Sequence, residues 1–296
     1  MERFEPVTTE NIIETLPYFA SASDRICDDT AGVTYQWRKL FHTAILLRDG
    51  CLVTRSVFPQ VGMCYSFPVG SGDPEKLMPF LTEDARAQGE PLRFACVSEG
   101  RLALLRGYFN GHVTAEEKRN WADYLYEPSG FSYIGKKYHT QKNHVNRFYR
   151  EHPEAKLVPV SEENVSEVSA FLDRVVAEKP DMNAWERGEV EGTRDLLFMR
   201  TELHQIGAFL RTDMGIAAYA MGEIRGDTLH IHAEKAVTAL TGAYPAMAQA
   251  FAAYAARDVK YINREDDADD PGIRYSKEQY RPLCLIPKYL VTVEEA

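Results

Sequence analysis

Four short runs of the chain hold side chains suited to acid–base or anion chemistry. Along DTLHIHAEK, residues 227–235, apolar and polar side chains alternate with the two-residue period of a half-buried strand. That period predicts Leu229, Ile231 and Ala233 on one face and His230, His232 and Glu234 on the other. Three ligand-type side chains invite a metal, yet their spacing matches no zinc motif, so the expectation is no metal and a hydrogen-bonded polar face. Thr241-Gly242 then opens a helix with Pro245 in its first turn, and the unpaired amides of such an end favour a phosphate or a developing oxyanion. Every crossover helix has an N-terminus, so this signal is weak by itself. REDDADD, residues 264–270, offers carboxylates but lacks the ligand order and glycine of an EF-hand loop, and reads as an acidic loop. The fourth run, KKYHTQKNHVNRFYR at 136–150, holds Lys136, Lys137, Lys142, Arg147 and Arg150 with His139 and His144 and no acid. It is either the solvated face of a connecting helix or a strip that takes the phosphates of RNA or of anionic lipid.

These residues need a scaffold. With 296 residues, 45% of them hydrophobic, the chain can bury cores for two ordinary domains. A net charge of -10 argues against a general nucleic-acid coat. Five scattered cysteines without Cys-x-x-Cys spacing suggest neither a disulfide framework nor a zinc site. The start, MERFEPVTTENIIETL, lacks the basic-then-apolar order of a secretory signal, and no apolar run approaches the roughly 20 residues of a membrane helix. A cytoplasmic protein with no transmembrane segment is expected.

Two halves repeat one pattern. In the first, TAILLRDGCLVTRS is a hairpin turning at Asp49-Gly50, MCYSFPV is a third strand, DPEKLMPFLTEDARAQG is a helix capped by Asp73 and ended at Gly89, and LRFACVS is a strand. In the second, AKLVPVS is followed by helical stretches EENVSEVSAFLDRVVAEK and VEGTRDLLFMRTELH, then by strands IGAFLRT, GIAAYAMGEI and DTLHIHAEK. A helix over 243–257 and strand VKYINRE complete the core. Each half thus mixes an antiparallel meander with a helical crossover, an α/β or α+β arrangement and not a doubly wound sheet. EPSGFSYIG, with Pro128, Gly130 and Gly135, marks the boundary between the halves.

HAEKAVTALTGAYPAMAQAF, YINREDDADDPGIRYSKEQYRP and KYHTQKNHVNRF together resemble the soluble relatives of the C-terminal catalytic domain of phosphatidylglycerol lysyltransferase. The matching positions are His232, Glu234, Lys235, Gly242, Ala243 and Tyr244 in the first. In the second they are Asn263, Arg264, Glu265, Asp267, Gly272, Arg274, Lys277, Tyr280 and Pro282, and in the third Lys142, Asn143, His144, Asn146 and Phe148. The resemblance is good from about Tyr124 onward. It implies an α/β (α+β) fold of two GNAT-like acyltransferase domains in tandem, each a mixed, mostly antiparallel sheet flanked by helices. The expected division is an N-terminal domain at 1–130, a basic linker helix at 131–155, and a C-terminal domain at 156–296 that carries the site.

The resemblance also implies chemistry, transfer of an aminoacyl group from aminoacyl-tRNA to a phosphatidylglycerol-like lipid, or to a small-molecule or peptide acceptor, with no further cofactor. Acetyl-CoA is the alternative donor. Aligned on Gly242, however, Ala239 and Tyr244 replace the polar first and small last residues of the GNAT coenzyme A loop, which favours the aminoacyl donor. Tyr280, in the late helix, is the expected proton donor to the leaving group, and Glu234 or His232 the proton acceptor. Lys235, Arg264, Arg274 and Lys277 are expected to orient phosphate or carboxylate. Gly242, Tyr244, Asn263, Glu265 and Asp267 complete the substrate-binding set, the acidic loop being suited to an aminoacyl amine. Lys142, His144, Arg147 and Arg150 are the expected phosphate contacts, to tRNA or to anionic lipid at the inner membrane face. A non-catalytic binding module is the competing class, distinguished by whether His232, Glu234, Arg264 and Tyr280 share one cleft.

Overall fold

A computed structural model describes residues 3–179 and 181–294. The chain divides into two units. Of the described residues, the first holds 3–123, the short stretch Asp266–Asp269 and 285–294; the second holds those of Tyr124–Glu265 and Asp270–Cys284.

Asp49 and Gly50 both take positive φ, 49° and 77°, as a two-residue hairpin requires. They join β2 (Ala44–Arg48) to β3 (Cys51–Phe58) in the first unit's sheet. That sheet also contains β1 (Glu5–Pro6), β4 (Gly62–Tyr65), β6 (Arg93–Val97), β7 (Val113–Glu117) and β15 (Tyr289–Val293), in the order β1-β2-β3-β4-β6-β15-β7, with β5 (Val69–Gly70) on β3. Its helices are α1 (Leu16–Ala20), α2 (Ala31–Trp37), α3 (Met78–Ala87) and α4 (Glu99–Tyr108). Leu77, Met78, Leu81 and Ala85 recur at helical spacing and are buried in one core with Leu46, Val53, Tyr65, Phe94 and Val291.

The second sheet runs β14-β8-β13-β12-β11-β10-β9. Its strands are β8 (Asp123–Tyr126), β9 (Lys156–Pro159), β10 (Ile206–Thr212), β11 (Gly215–Arg225), β12 (Thr228–Ala236), β13 (Tyr261–Asn263) and β14 (Cys284–Ile286). Among the described residues they are accompanied by the helices α5 (His139–Glu151), α6 (Val165–Glu178), α7 (Ala184–Phe198), α8 (Ala243–Ala255) and α9 (Pro271–Gln279). An Asn183–Glu186 capping box starts α7 well before the stretch read as helical from the sequence.

Both units are mixed α/β and follow one plan. An antiparallel meander ends in a strand, a helix crosses over, and the next strand returns parallel: β4 to β6 through α3, and β12 to β13 through α8. In each sheet an antiparallel strand then sits between the returning strand and the last one, β15 between β6 and β7, and β8 between β13 and β14. The units part at Asp123 and not at 130, and residues 285–294 belong to the first unit. The basic segment is also no free linker. Gln141, Val145 and Phe148 of α5 are buried within the second unit, and its cationic side chains are exposed. Among the described residues no helix is long and apolar enough to cross a membrane.

Candidate functional site

Strands β12 and β13 pair in register from Thr228↔Tyr261 to His230↔Asn263 and then part. Beyond that point the chain turns to β8: the Arg264 N–H donates to the Tyr124 carbonyl and the Tyr124 N–H to the Glu265 carbonyl, both at 3.0 Å. The carboxyl ends of parallel strands linked by a crossover helix are where such sheets open a crevice. Here two side-chain bridges span the opening. Arg264 donates to Glu234 Oε2 from Nε at 2.8 Å and from Nη2 at 2.6 Å. His232 Nδ1 lies 2.7 Å from Glu265 Oε1.

A β-bulge decides which residues meet. On β11, Met221 pairs with Ala233 and Gly222 with Ile231, so His232 is the extra residue on β12. The alternation predicted from the sequence therefore breaks at His232. Glu234 pairs with Ala220 and His230 with Glu223, positions of opposite parity on β11, so the two lie on opposite faces. Only glycine fits at 222, where a Cβ would come within 2.0 Å of the His230 carbonyl oxygen.

Arg264 is buried, with its guanidinium 4.3 Å from the centre of the Tyr280 ring and 5.8 Å from those of Tyr126 and Phe131. Burial disfavours its charge, but Glu234 more than restores it, and the guanidinium is held above its ordinary value. Its third nitrogen, Nη1, is buried without a hydrogen-bond acceptor among the described residues. Tyr280 caps the end of α9 and packs against Phe131 and Tyr133. Burial, with the negative charge of Glu234, raises the Tyr280 phenol above its ordinary value, while Arg264 and the Tyr133 hydroxyl pull the other way. Tyr133 in turn donates at 3.1 Å to the Pro245 carbonyl in the first turn of α8. Tyr280 is thus linked to the helix N-terminus through one intervening phenol.

His232 belongs to a separate buried network. Its Nε2 is 3.9 Å from Glu223 Oε1, and Glu223 accepts from Gln205 at 2.5 Å. Burial works against the imidazolium, but the Glu265 hydrogen bond and the charges of Glu265 and Glu223 outweigh it and raise its pKa. Glu265 holds a left-handed backbone at φ 60°, and its N–H donates to the Asn263 side chain at 2.7 Å.

The remaining predicted residues separate into engaged and outlying groups. Lys277 donates to the Arg264 carbonyl at 2.5 Å, and Lys235 to Glu189 at 2.7 Å, so both ammonium groups brace the fold. Arg274 lies half-buried on α9. Asp267 falls in the first unit, where it is buried and bonded to Arg119 at 3.1 Å. Asp270 caps α9 through the Gly272 and Ile273 N–H groups, and Asp266 and Asp267 accept N–H bonds within their own loop, so the acidic run is largely turn chemistry. Gly242, at φ 87°, caps α8 where a Cβ would meet the His144 carbonyl oxygen at 2.1 Å. In that first turn the Ala243 N–H closes on Leu240, Pro245 has none, and the Ala246 N–H closes on Gly242. Among the described residues the Tyr244 N–H makes no such bond, and the Tyr244 ring is 42% exposed. Lys142, His144, Arg147 and Arg150 are exposed on α5, with Arg147 paired to Glu151 at 2.8 Å.

Sequence reasoning missed Tyr126, Phe131 and Tyr133, because the Pro and Gly around them read as a domain boundary. It also missed Glu223, which only strand pairing brings opposite His230.

The chain matches the family described as phosphatidylglycerol lysyltransferase, C-terminal, over residues 19–292. A conserved protein of unknown function from Bacteroides thetaiotaomicron VPI-5482 has a similar solved structure, at 28% identity and a TM-score of 0.90, covering 99% of this chain and 100% of that one. The structure of L-PGS from Bacillus licheniformis is similar at 15% identity and a TM-score of 0.67, covering 99% and 93%. A tandem GNAT protein from the clavulanic acid biosynthesis pathway follows at 11% identity and a TM-score of 0.50, covering 99% of each chain. No curated protein matches. Two GNAT-like units in tandem, matched by the family across nearly the whole length, place the chain among the phosphatidylglycerol lysyltransferase C-terminal domains, and it belongs to that family.

Proposed function

We propose that the protein is an acyltransferase whose second unit carries the reaction, moving an aminoacyl group from aminoacyl-tRNA to a phosphatidylglycerol-like lipid or to a small-molecule or peptide acceptor. The observation that carries this reading is the meeting of Arg264, Glu234 and Tyr280 where β12 and β13 part, in a chain of this family. Direct acyl transfer requires that the acceptor lose a proton, the oxyanion be stabilised and the leaving group gain a proton. Tyr280 is suited to the last task, because burial keeps its phenol protonated and Arg264 stands ready to stabilise the phenolate. Arg264 Nη1 is a donor with no acceptor of its own among the described residues, as an oxyanion site needs. Glu234 Oε1, the oxygen that Arg264 does not hold, takes the acceptor's proton. His232 becomes a positioning residue, since its imidazolium is favoured.

The choice of donor rests on the start of α8. Coenzyme A binding by a helix N-terminus relies on several outward amides, and here Pro245 and the Ala243–Leu240 bond leave little more than the Tyr244 N–H. The exposed cations of α5 suit the phosphates of a tRNA or of a lipid surface instead. The test incubates the purified chain with a pool of charged tRNAs and candidate acceptors and follows the aminoacyl ester, with mass detection of products. Acceptor-dependent ester loss that disappears in Tyr280→Phe is expected. An unchanged ester pool, together with saturable coenzyme A binding by calorimetry, would overturn the reading in favour of acetyl transfer.

A further inference from the structure

The first unit buries a lysine that the proposed transfer does not use. Lys288, just before β15, is 1% exposed, and its ammonium contacts Asp28 Oδ2 at 2.5 Å, Asp123 Oδ1 at 2.7 Å and Cys27 Sγ at 3.3 Å. The Cys27 thiol lies 3.3 Å from Asp123 Oδ1, while Asp123 Oδ2 accepts the Cys27 backbone N–H at 2.7 Å, so the sulfur is fixed by its own main chain. Asp28 Oδ2 is 3.8 Å from the same sulfur, and its side chain, 29% exposed, carries the cluster to the surface. All four residues belong to the first unit. Burial disfavours the ammonium, but Asp123 and Asp28 outweigh it and hold Lys288 well above the ordinary lysine value. The Cys27 thiol donates to Asp123 Oδ1 and accepts from the Lys288 ammonium, so a carboxylate to take its proton and a positive charge to offset the thiolate that peroxide oxidises both lie beside it. Cys27, Asp28 and Asp123 also group closely enough to suggest a metal, but Lys288 already supplies the positive charge among them.

We propose that Cys27 and Lys288 form a peroxide-responsive pair that closes into a covalent sulfur–oxygen–nitrogen bridge. In the first step the Cys27 thiolate attacks hydrogen peroxide, forming an S–O bond and breaking the O–O bond, and a sulfenic acid and water result. In the second, Lys288 gives its proton to the hydroxide left by the first peroxide, which becomes that water, and the free amine is oxidised by another peroxide to the hydroxylamine, again releasing water. The hydroxylamine oxygen then displaces hydroxide from the sulfenic sulfur, and a third water leaves. Thiol, amine and two peroxides thus become the bridge and three waters, with sulfur and nitrogen each giving up two electrons. A single inserted oxygen spans the 3.3 Å gap with less movement than a direct sulfur–nitrogen bond. The bridge ties the segment before α2 to the segment before β15, so it also restrains the unfolded chain over most of its length.

The experiment exposes the reduced full-length chain to hydrogen peroxide and reads intact mass, peptide map and thermal midpoint. The expected product gains about 14 Da, one oxygen less two hydrogens. It yields one peptide pair joining Cys27 to Lys288, melts at a higher temperature, and reverts with dithiothreitol. Cys27→Ser should abolish the product, and Cys96→Ser should keep it. Oxidation of exposed Cys284 reports that the oxidant acted. Should Lys288→Met fail to fold, the map of the unaltered chain decides alone. Cys27 carrying only a sulfenic or higher oxygen adduct, or remaining unmodified while Cys284 is oxidised, would overturn the proposal.

Discussion

Arg264 grips a single oxygen of Glu234 with two nitrogens, Nε at 2.8 Å and Nη2 at 2.6 Å, across the gap between β12 and β13. Both side chains are largely buried, so neither charge has water as a substitute partner. Removing one partner strands the other, which for buried pairs is destabilising by about 3–5 kcal/mol. Glu234→Leu and Arg264→Met should each lower stability by that order, and the double variant should lose less than the sum. Urea unfolding of the three variants checks this, and simple additivity would show that the two residues are not coupled.

Tyr280→Phe isolates the phenol. The ring keeps its packing on Phe131 and under Arg264, so the melting temperature should stay close to that of the parent chain. Transfer should fall by roughly 10²-fold or more if the hydroxyl protonates the leaving group. Single-turnover ester loss is the measurement, and unchanged turnover would remove Tyr280 from the chemistry.

Gly242 is constrained twice, by its positive φ and by the His144 carbonyl. Gly226 is constrained once, at φ 57° with nothing near its would-be Cβ. Gly226→Ala should therefore show only the backbone penalty of about 1 kcal/mol, and Gly242→Ala distinctly more, because α5 must move from α8. Denaturant midpoints of the two variants compare them directly.

The His232–Glu265 pair predicts a pH dependence. His232 is raised in the folded chain, so its stabilising contribution is complete below the unfolded histidine value of about 6.5 and is lost as pH rises through the higher folded value. The thermal midpoint should decline over that interval relative to a Glu265→Gln variant, in which only the charge of Glu223 still raises the affinity for the proton. Parallel melting curves for the two chains from acid to mildly alkaline pH would contradict it.

A chain ended after residue 284 lacks β15, which pairs on one side with β6 and on the other with β7. Loss of an interior strand leaves two unpaired edges and removes Val291 from the core. The truncated chain should aggregate or lose its cooperative melt, seen by circular dichroism and size-exclusion chromatography. Fragments cut at 130 and 156 should fare no better, since β15 and β8 would then be separated from the strands they pair with.

Local chemistry in the sequence determined a good deal about this protein. Asp-Gly fixed the first hairpin, Asp73-Pro74 and Gly89 bracketed the helical stretch around α3, and alternating apolar residues located β10, β11 and β12, because each signal acts within a few residues. Tyr280, Arg264 and Glu234 were legible as polar side chains at element ends within a long resemblance. What tertiary structure decided lay beyond that range. The bulge at His232 arises only when β12 is laid against β11, and it alone sends Glu234 to Arg264 and leaves His232 to Glu265. The aromatic wall of Tyr126, Phe131 and Tyr133 comes from a segment rich in boundary residues, and burial beside Arg264 gives it its part. The return of β15 to the first sheet depends on pairing with strands about two hundred residues earlier, a preference that no local period encodes.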